Sequence, residues 1–339
     1  MSQESLIVQT SFLGDTILTT PLIAELARKG PVDVVVTPAS APVLANNPDI
    51  REIIVYDKRG RDAGVGGLLR LARRIRRRPS AGPRTAYLAQ GSLRSAALAA
   101  IAGYPERIGF AAAPGHSLYT RRVLRREERH HTERLWRLAA PIDVDAEPTP
   151  GTLRPRLYPG AIERAAVDAL LGDRAGAPFL ALAPGSIWGT KRWPYYAELA
   201  ARVSSRWPLV VVGGSDDQDA ARSVVDSAGE HRVLDACGRL SLLASAELIG
   251  RARALVTNDS SPLHLASAMG TPTVALFGPT VADFGFGPLA PRSASLGLEA
   301  LPCRPCHHHG PPICPLGHWR CMRELDVDRV EAHLTSILG

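Results

Sequence analysis

The chain has 339 residues, 45% hydrophobic and 22% charged, which predicts a globular protein with two domains of roughly 150 residues each. It contains no run of about 18 uncharged apolar residues, and its start, MSQESLIVQT, has no signal-peptide pattern; these features exclude a membrane-spanning or exported protein and predict a cytosolic one. The net charge of +7 arises within residues 1–150, which hold 22 Lys and Arg against 15 Asp and Glu, whereas residues 151–339 hold 18 of each sign.

Short apolar runs alternate with helical segments along the chain, a pattern typical of parallel sheets with crossover helices. The predicted strands of a first series are 5–10, 32–38, 52–56, 85–90 and 107–110, and those of a second are 179–185, 209–214, 252–259 and 273–279. A helix is predicted over 17–29, because Leu18, Leu22 and Leu26 share one face. The Pro-rich stretch 141–160 predicts a linker, which gives two doubly wound α/β domains, 1–160 and 161–339.

Arginines concentrate in two places in the first domain. The first group is Arg70, Arg73, Arg74, Arg76, Arg77 and Arg78, and the second is Arg121, Arg122, Arg125, Arg126 and Arg129. Such groups attract nucleic acid, anionic membranes or anionic substrates, although a solvated helix face has the same composition. No helix-turn-helix, RNA-recognition or finger pattern accompanies them, so nucleic acid is not an expected partner.

Ligands of open α/β sheets bind where strands end and helices begin. The first predicted strand leads into Gly14 and Asp15 without a G-x-G-x-x-G pattern, so a dinucleotide fingerprint is absent. Asp15 is either a helix cap or a general base. In the second domain, the loop APGSIWGTKRWP (183–194) carries Lys191, which is either a surface lysine or a phosphate-binding point charge.

The segment TNDSSPLHLASAMGTP (257–272) has the most specific pattern. A strand ends near Thr257, a polar run follows, and a helix begins around Pro262 with His264 in its first turn. Backbone N–H groups at such a helix start predict an anion site, and a diphosphate is the expected guest. Asp259 would be repelled by a diphosphate, so we expect it to bind sugar hydroxyls or to orient the loop.

Four cysteines lie within nineteen residues near the end of the chain, spaced C-x2-C-x7-C-x6-C: Cys303, Cys306, Cys314 and Cys321. In a reduced compartment this density predicts a structural zinc or iron–sulfur site, with free thiols or a redox pair as the alternative. Because the segment lies outside the predicted phosphate-binding loops, a stabilising role is expected rather than a catalytic one.

Several motifs together resemble one known family. They are LIVQTSFLGDTILTTPLI (6–23), AYLAQGSLRSAALAAIAGYPERIGF (86–110), APGSIWGTKRWP (183–194) and TNDSSPLHLASAMGTPTVALFGPT (257–280). Over nearly its full length the chain resembles the ADP-heptose:lipopolysaccharide heptosyltransferases of glycosyltransferase family 9, more so the heptosyltransferase II branch. The resemblance implies a GT-B fold, with two Rossmann-like domains facing across a cleft.

Site roles also follow from the resemblance. It makes Asp15 the general base and Asp259 a contact of the donor sugar, and it leaves the ribose to Asp216 or Asp217. Its diphosphate site comprises Ser186, Lys191, Ser260, Ser261 and His264. Many family members have Gly where this chain has Ser261.

The function implied is inverting transfer of heptose from ADP-heptose to the inner core of lipopolysaccharide, without a catalytic metal. The acceptor would be of the Kdo–lipid A type, and the enzyme would lie in the cytoplasm, peripheral at the inner face of the cytoplasmic membrane. Alternatives are another nucleotide-sugar donor, a GT-B nucleotide-sugar epimerase, or, in a different class, a nucleic-acid-binding or metal-sensing protein.

Overall fold

The computed structural model describes residues 3–79, 82–140, 147–149 and 151–339 and divides the chain into two compact units. Unit 1 ends at Tyr158, and unit 2 begins at Pro159. Of the predicted linker 141–160, residues 141–146 and 150 lie outside the described residues. No helix in the described ranges is long and apolar enough to cross a bilayer.

Unit 1 contains a parallel sheet with six strands among its described residues. The strands are β1 (Glu4–Gln9), β2 (Val32–Val36), β3 (Glu52–Val55), β4 (Arg84–Leu88), β5 (Glu106–Phe110) and β6 (Arg121–Val123). The helices are α1 (Leu13–Leu18), α2 (Thr20–Ala27), α3 (Gly64–Arg76), α4 (Leu93–Ile101) and α5 (His131–Trp136). The strand order is β3-β2-β1-β4-β5-β6, so the topology switches direction between β1 and β4.

Unit 2 repeats this architecture. Its strands are β7 (Leu180–Ala183), β8 (Leu209–Val211), β9 (Val233–Asp235), β10 (Ala254–Asn258), β11 (Thr273–Leu276) and β12 (Ser293–Leu296). Its helices are α6 (Ala161–Leu171), α7 (Tyr196–Val203), α8 (Gln218–Ala228), α9 (Leu242–Arg251), α10 (Ser261–Met269), α11 (Arg320–Arg323) and α12 (Val327–Leu338). The order β12-β11-β10-β7-β8-β9 places the switch point between β7 and β10.

Burial explains why these strands read as continuous apolar runs. Every residue of β1, β2, β10 and β11 is buried, as expected for parallel strands covered by helices on both faces. Pairing is in parallel register throughout, with Ile7 opposite Val34 and Val256 opposite Leu182. The predicted doubly wound α/β class is therefore confirmed for both units.

The single helix predicted over 17–29 is wrong. The structure has two helices here, because Pro21 has no N–H to continue the helical ladder. The hydroxyl of Thr20 instead donates to the carbonyl of Ile17 at 2.8 Å, and that of Thr19 donates to the carbonyl of Asp15 at 2.7 Å. The break leaves α1 as a short helix that carries Asp15 directly after β1.

Candidate functional site

The switch point of unit 2 brings together two residues that the sequence singled out separately. Lys191 ends a 3₁₀ turn (Gly189–Lys191) in the loop after β7, and Asp259 follows β10 directly. Lys191 Nζ lies 2.6 Å from Asp259 Oδ2, and both side chains are buried. Thr280, after β11, donates to the same carboxylate oxygen at 2.7 Å. Sequence reasoning missed Thr280, although it follows a predicted strand.

The loop after β7 is fixed by Asn258, a fully buried residue that sequence reasoning did not single out. Its side-chain amide donates to the carbonyl of Pro184 at 2.8 Å, and its Oδ1 accepts from the backbone N–H of Trp193 at 3.2 Å. The same Oδ1 accepts from the Tyr196 hydroxyl at 3.3 Å. Burial raises the pKa of Tyr196, so its hydroxyl stays a neutral donor. Asn258 therefore holds the loop that presents Lys191.

The start of α10 has the features of an anion site. Ser260 is the N-cap residue, but its side chain makes no cap hydrogen bond. Its Oγ is buried and has no hydrogen-bond partner among the described residues. Ser261 is the first helical residue, and the first turn has the predicted proline, Pro262. The ring of His264 is buried, 6.4 Å from the ring of Phe286. The N-terminal N–H groups of α10 thus lack a side-chain cap.

The remaining predicted residues of unit 2 lie on the neighbouring loops. Ser186 is buried in the loop after β7, and its Oγ accepts from the N–H of Trp188 at 3.2 Å. Asp217 accepts from the N–H of Gly214 at 2.9 Å, while Asp216 is exposed. Of the two candidate ribose ligands, Asp217 is therefore already engaged by the backbone.

Asp15 lies in the first turn of α1, at the switch point of unit 1. The N-cap residue of this helix is Phe12, so the alternative that Asp15 is the N-cap is wrong. Asp15 Oδ1 lies 3.6 Å from Nε2 of His131, and the two side chains are 19% and 9% exposed. Sequence reasoning missed His131, since a histidine at the start of a distant helix gives no signal of this proximity.

Cationic side chains surround the carboxyl end of the same sheet. Lys58, in the loop after β3, donates through Nζ to the carbonyl of Thr10 at 2.6 Å. Desolvation by burial lowers the pKa of Lys58, and the charges of Arg59 and Arg94 lower it further. Because Thr10 directly follows β1, these cations lie at the carboxyl end of the sheet, where α1 begins. The sequence contains a signal for these cations, because Lys58 and Arg59 follow a predicted strand, but sequence reasoning did not select them.

The two predicted arginine groups differ in the structure. On and just after α3, Arg73, Arg74, Arg76 and Arg77 are exposed. Arg78 instead pairs with the buried Asp33 at 3.0 Å. In the second group, Arg121 donates to the carbonyls of Leu138 at 2.8 Å and Ala140 at 3.1 Å. The exposed arginines of the first group therefore form a cationic surface, whereas Arg78 and part of the second group stabilise the fold.

The cysteine segment, residues 303–321, packs against the loop that carries Lys191. Thr190 donates to the carbonyl of Pro311, and a Cβ at Gly310 would lie 3.1 Å from Lys191 Cε. The segment also contacts the loop of Thr280, because Arg304 donates to the Thr280 carbonyl at 3.0 Å. The segment is separate in sequence from the predicted phosphate-binding loops, but it packs against the loop of Lys191, a contact that spacing along the sequence does not report.

The four cysteines of this segment are free. Cys303 Sγ lies 3.8 Å from Nε2 of His318. Burial and, to a smaller extent, the nearby thiols of Cys306 and Cys314 together raise the pKa of Cys321 to about 11. Thiolates and imidazole suit zinc, yet no three or more His, Cys, Asp and Glu side chains in the described residues are arranged to hold a metal. Metal binding at Cys303, Cys306, Cys314 and Cys321 stays a prediction.

Comparison with known proteins gives a consistent set of relatives. Residues 69–316 match the model of glycosyltransferase family 9 (heptosyltransferase). Lipopolysaccharide heptosyltransferase 1 of Pseudomonas aeruginosa is 31% identical over 89% of this chain and 85% of its own. Lipopolysaccharide heptosyltransferase 2 of Escherichia coli is 27% identical over 82% of this chain and 84% of its own.

Two solved structures superpose on nearly the whole chain. E. coli ADP-heptose lipopolysaccharide heptosyltransferase II has a TM-score of 0.80 and 24% identity, covering 99% of this chain and 98% of its own. A family 9 glycosyl transferase from Veillonella parvula has a TM-score of 0.84 and 22% identity, covering 99% and 97%. These similarities confirm the expected GT-B fold.

Proposed function

Because the chain belongs to glycosyltransferase family 9, the heptosyltransferases, we propose that it transfers heptose from ADP-heptose to the inner core of lipopolysaccharide, with inversion at the anomeric carbon. Its relatives from P. aeruginosa and E. coli are named for lipopolysaccharide heptosyl transfer, and the solved E. coli relative is named for an ADP-heptose donor. The donor class and the acceptor class are taken from them.

The observation that carries this proposal is the meeting of Lys191, Asp259 and the start of α10 at one switch point. A lysine and an uncapped helix N-terminus are complementary to a diphosphate. Ser186, Ser260, Ser261 and His264 add side-chain donors on the same loop and helix start. Asp259 orients Lys191 and binds hydroxyls of the donor sugar.

The reaction then needs a base and a stabilised leaving group. Asp15 accepts the proton of the acceptor hydroxyl as that oxygen bonds to the anomeric carbon. The bond between this carbon and the β-phosphate oxygen breaks, and its electron pair leaves with ADP. Lys191 and the N-terminus of α10 stabilise the negative charge that develops on ADP, which is the role of a preorganised electrostatic site. No divalent cation is required by this scheme.

The acceptor is anionic, and unit 1 supplies the complementary charge. Three cations lie at the carboxyl end of the sheet, close to Asp15: Lys58, Arg59 and Arg94. Their charges are complementary to the carboxylates and phosphates of a Kdo–lipid A type acceptor. The exposed arginines of α3 suit an anionic lipid surface. These charges support the proposal that the enzyme lies in the cytoplasm, peripheral at the inner face of the cytoplasmic membrane.

A donor panel tests this proposal. The protein is titrated with ADP-heptose, ADP-glucose and UDP-glucose, and each donor is then incubated with a truncated inner-core acceptor. Tight binding and transfer with ADP-heptose alone is expected. Transfer from another donor would show that ADP-heptose is not the substrate. Isomerisation of the heptose nucleotide without transfer would favour an epimerase. Salt-dependent oligonucleotide binding without turnover would favour a nucleic-acid-binding protein instead.

A further inference from the structure

Unit 1 contains a second titratable side chain in contact with the base, and this residue has no role in the scheme above. We propose that His131 is the positioning residue for Asp15: its imidazole, beside Oδ1, orients the carboxylate that accepts the proton of the acceptor hydroxyl. This inference rests on the proposed function, since it requires that Asp15 acts as the base.

The contact geometry supports positioning rather than a fixed structural ion pair. The separation of 3.6 Å between His131 Nε2 and Asp15 Oδ1 is longer than the roughly 2.7–3.2 Å of a formed hydrogen bond. Catalytic hydrogen bonds are often long before substrate binds and shorten in the substrate complex. Both side chains are largely shielded from water, so the contact is electrostatically stronger than one at the surface.

Helix α5 is a firm support for His131. The helix is buried along its length, and its Glu133 forms a buried pair at 2.8 Å with Arg137, the residue that follows the helix. Arg134 donates to the carbonyl of Arg126 at 3.0 Å, which ties the helix to the preceding loop. The imidazole of His130 accepts from the N–H of Thr132 at 3.2 Å and caps the helix start. These bonds fix the helix from which His131 reaches Asp15.

Burying this many polar side chains on a six-residue helix destabilises the fold unless they are hydrogen-bonded or paired. Glu133 accepts from Arg137 Nε at 2.9 Å, and Arg134 donates to the backbone. His131 is directed to α1, the helix that carries Asp15, and α5 packs against both α1 and α2. The histidine is therefore the residue through which α5 acts on the base.

Two substitutions of similar size separate positioning from packing. His131→Gln keeps an N–H donor near Asp15, whereas His131→Met fills the space without a donor. We expect the Met variant to lower kcat by about 10- to 100-fold, the scale of a misplaced catalytic group, with the KM for ADP-heptose and the affinity for ADP unchanged. The Gln variant should recover most of this loss. Thr132→Ala is the matched control, because it perturbs the same buried turn of α5.

A double-mutant cycle with Asp15→Asn completes the test. If His131 acts through Asp15, His131→Met causes little further loss of kcat in the Asp15→Asn background. Equal losses in both backgrounds, or a Met variant no slower than Thr132→Ala, would overturn the inference and leave His131 as a packing residue. Full activity of Asp15→Asn would instead contradict the proposed function itself, so the two failures are distinguishable.

Discussion

Lys191 and Asp259, 68 residues apart in the chain, form a buried ion pair at 2.6 Å between Nζ and Oδ2. The sequence had suggested separate tasks for them, diphosphate binding for the lysine and sugar contact for the aspartate. In the structure the two residues depend on each other, because each buried charge is neutralised by the other. Removing one partner of such a pair typically costs about 3–5 kcal/mol, since the other charge stays buried and unpaired.

Replacing the lysine should therefore change both binding and stability. We expect Lys191→Met to weaken ADP binding by at least about tenfold and to lower turnover, because its charge meets the diphosphate in the ground state and the transition state. The melting temperature should also fall. Isothermal titration calorimetry with ADP and a melting scan measure the two effects. Lys29→Met, which removes a lysine charge from unit 1, is the control. If Lys191→Met binds ADP as tightly as Lys29→Met does, Lys191 is not part of the ADP site.

Replacing the base should affect turnover alone. Asp15→Asn is expected to lower kcat by about 100-fold or more, the scale of a lost general base, while ADP affinity stays close to wild type. Steady-state kinetics and ADP calorimetry make the comparison. Glu25→Gln, on the neighbouring helix α2, removes a carboxylate that pairs with Arg28 at 3.0 Å. Comparable kcat for the two variants would contradict the role of Asp15.

The cysteine segment should influence donor binding through Lys191. Gly310 has φ +83°, and a Cβ there would lie 3.1 Å from Lys191 Cε and 3.2 Å from its Cγ. We expect Gly310→Ala to weaken ADP binding by about tenfold. Gly317→Ala is a matched control, because Gly317 has a similar φ of +69° but its Cβ would meet nothing within 4 Å. Equal ADP affinities for both variants would show that the segment does not set the position of Lys191.

The interior strands of both sheets could be predicted from sequence, whereas three of the four edge strands could not. The nine predicted strands are all present. Eight are interior strands, which must be apolar throughout, and the ninth is the edge strand β3, whose sequence EIIV is mostly apolar. The three that were missed, β6, β9 and β12, are all edge strands of three or four residues. An edge strand is only half covered, so Arg121 and Arg122 of β6 are tolerated and the apolar pattern disappears.

The candidate site was predictable as single residues but not as contacts. Lys191 and Asp259 follow strands, and that position, together with their charges and the family resemblance, made them candidates. Their pairing depends on β7 and β10 being neighbours, which the strand order decides. The contact of His131 with Asp15 depends likewise on how α5 packs against α1, and a single sequence has no local pattern for such packing.

The exposed arginines of the first group should serve the acceptor rather than the donor. Replacing Arg73, Arg74, Arg76 and Arg77 by Gln is expected to raise the KM for a lipid-linked acceptor and to weaken binding to anionic vesicles. Each basic residue near such a surface contributes about 1 kcal/mol. ADP affinity is the internal control and should not change. Vesicle binding that stays unchanged at low salt would show that these arginines form only a solvated face.

Metal content tests the prediction for the cysteines. We expect Cys303, Cys306, Cys314 and Cys321 to bind one structural zinc, or less favourably an iron–sulfur cluster, because a Pro- and Gly-rich segment has little apolar packing to order it. Elemental analysis after aerobic and anaerobic purification measures it, and chelation should lower the melting temperature. Protein that is metal-free in both preparations, yet folded and active, would leave these cysteines as thiols or a redox pair.

The mass of a truncated inner-core acceptor after incubation with ADP-heptose tests the central claim most directly. The wild-type protein should add one heptosyl unit and release ADP in equal amount, with EDTA present and with inverted anomeric configuration in the product. Asp15→Asn should leave the acceptor mass unchanged over the same time while still binding ADP. An acceptor that gains no mass with folded, ADP-binding wild-type protein would contradict the assignment as a lipopolysaccharide heptosyltransferase.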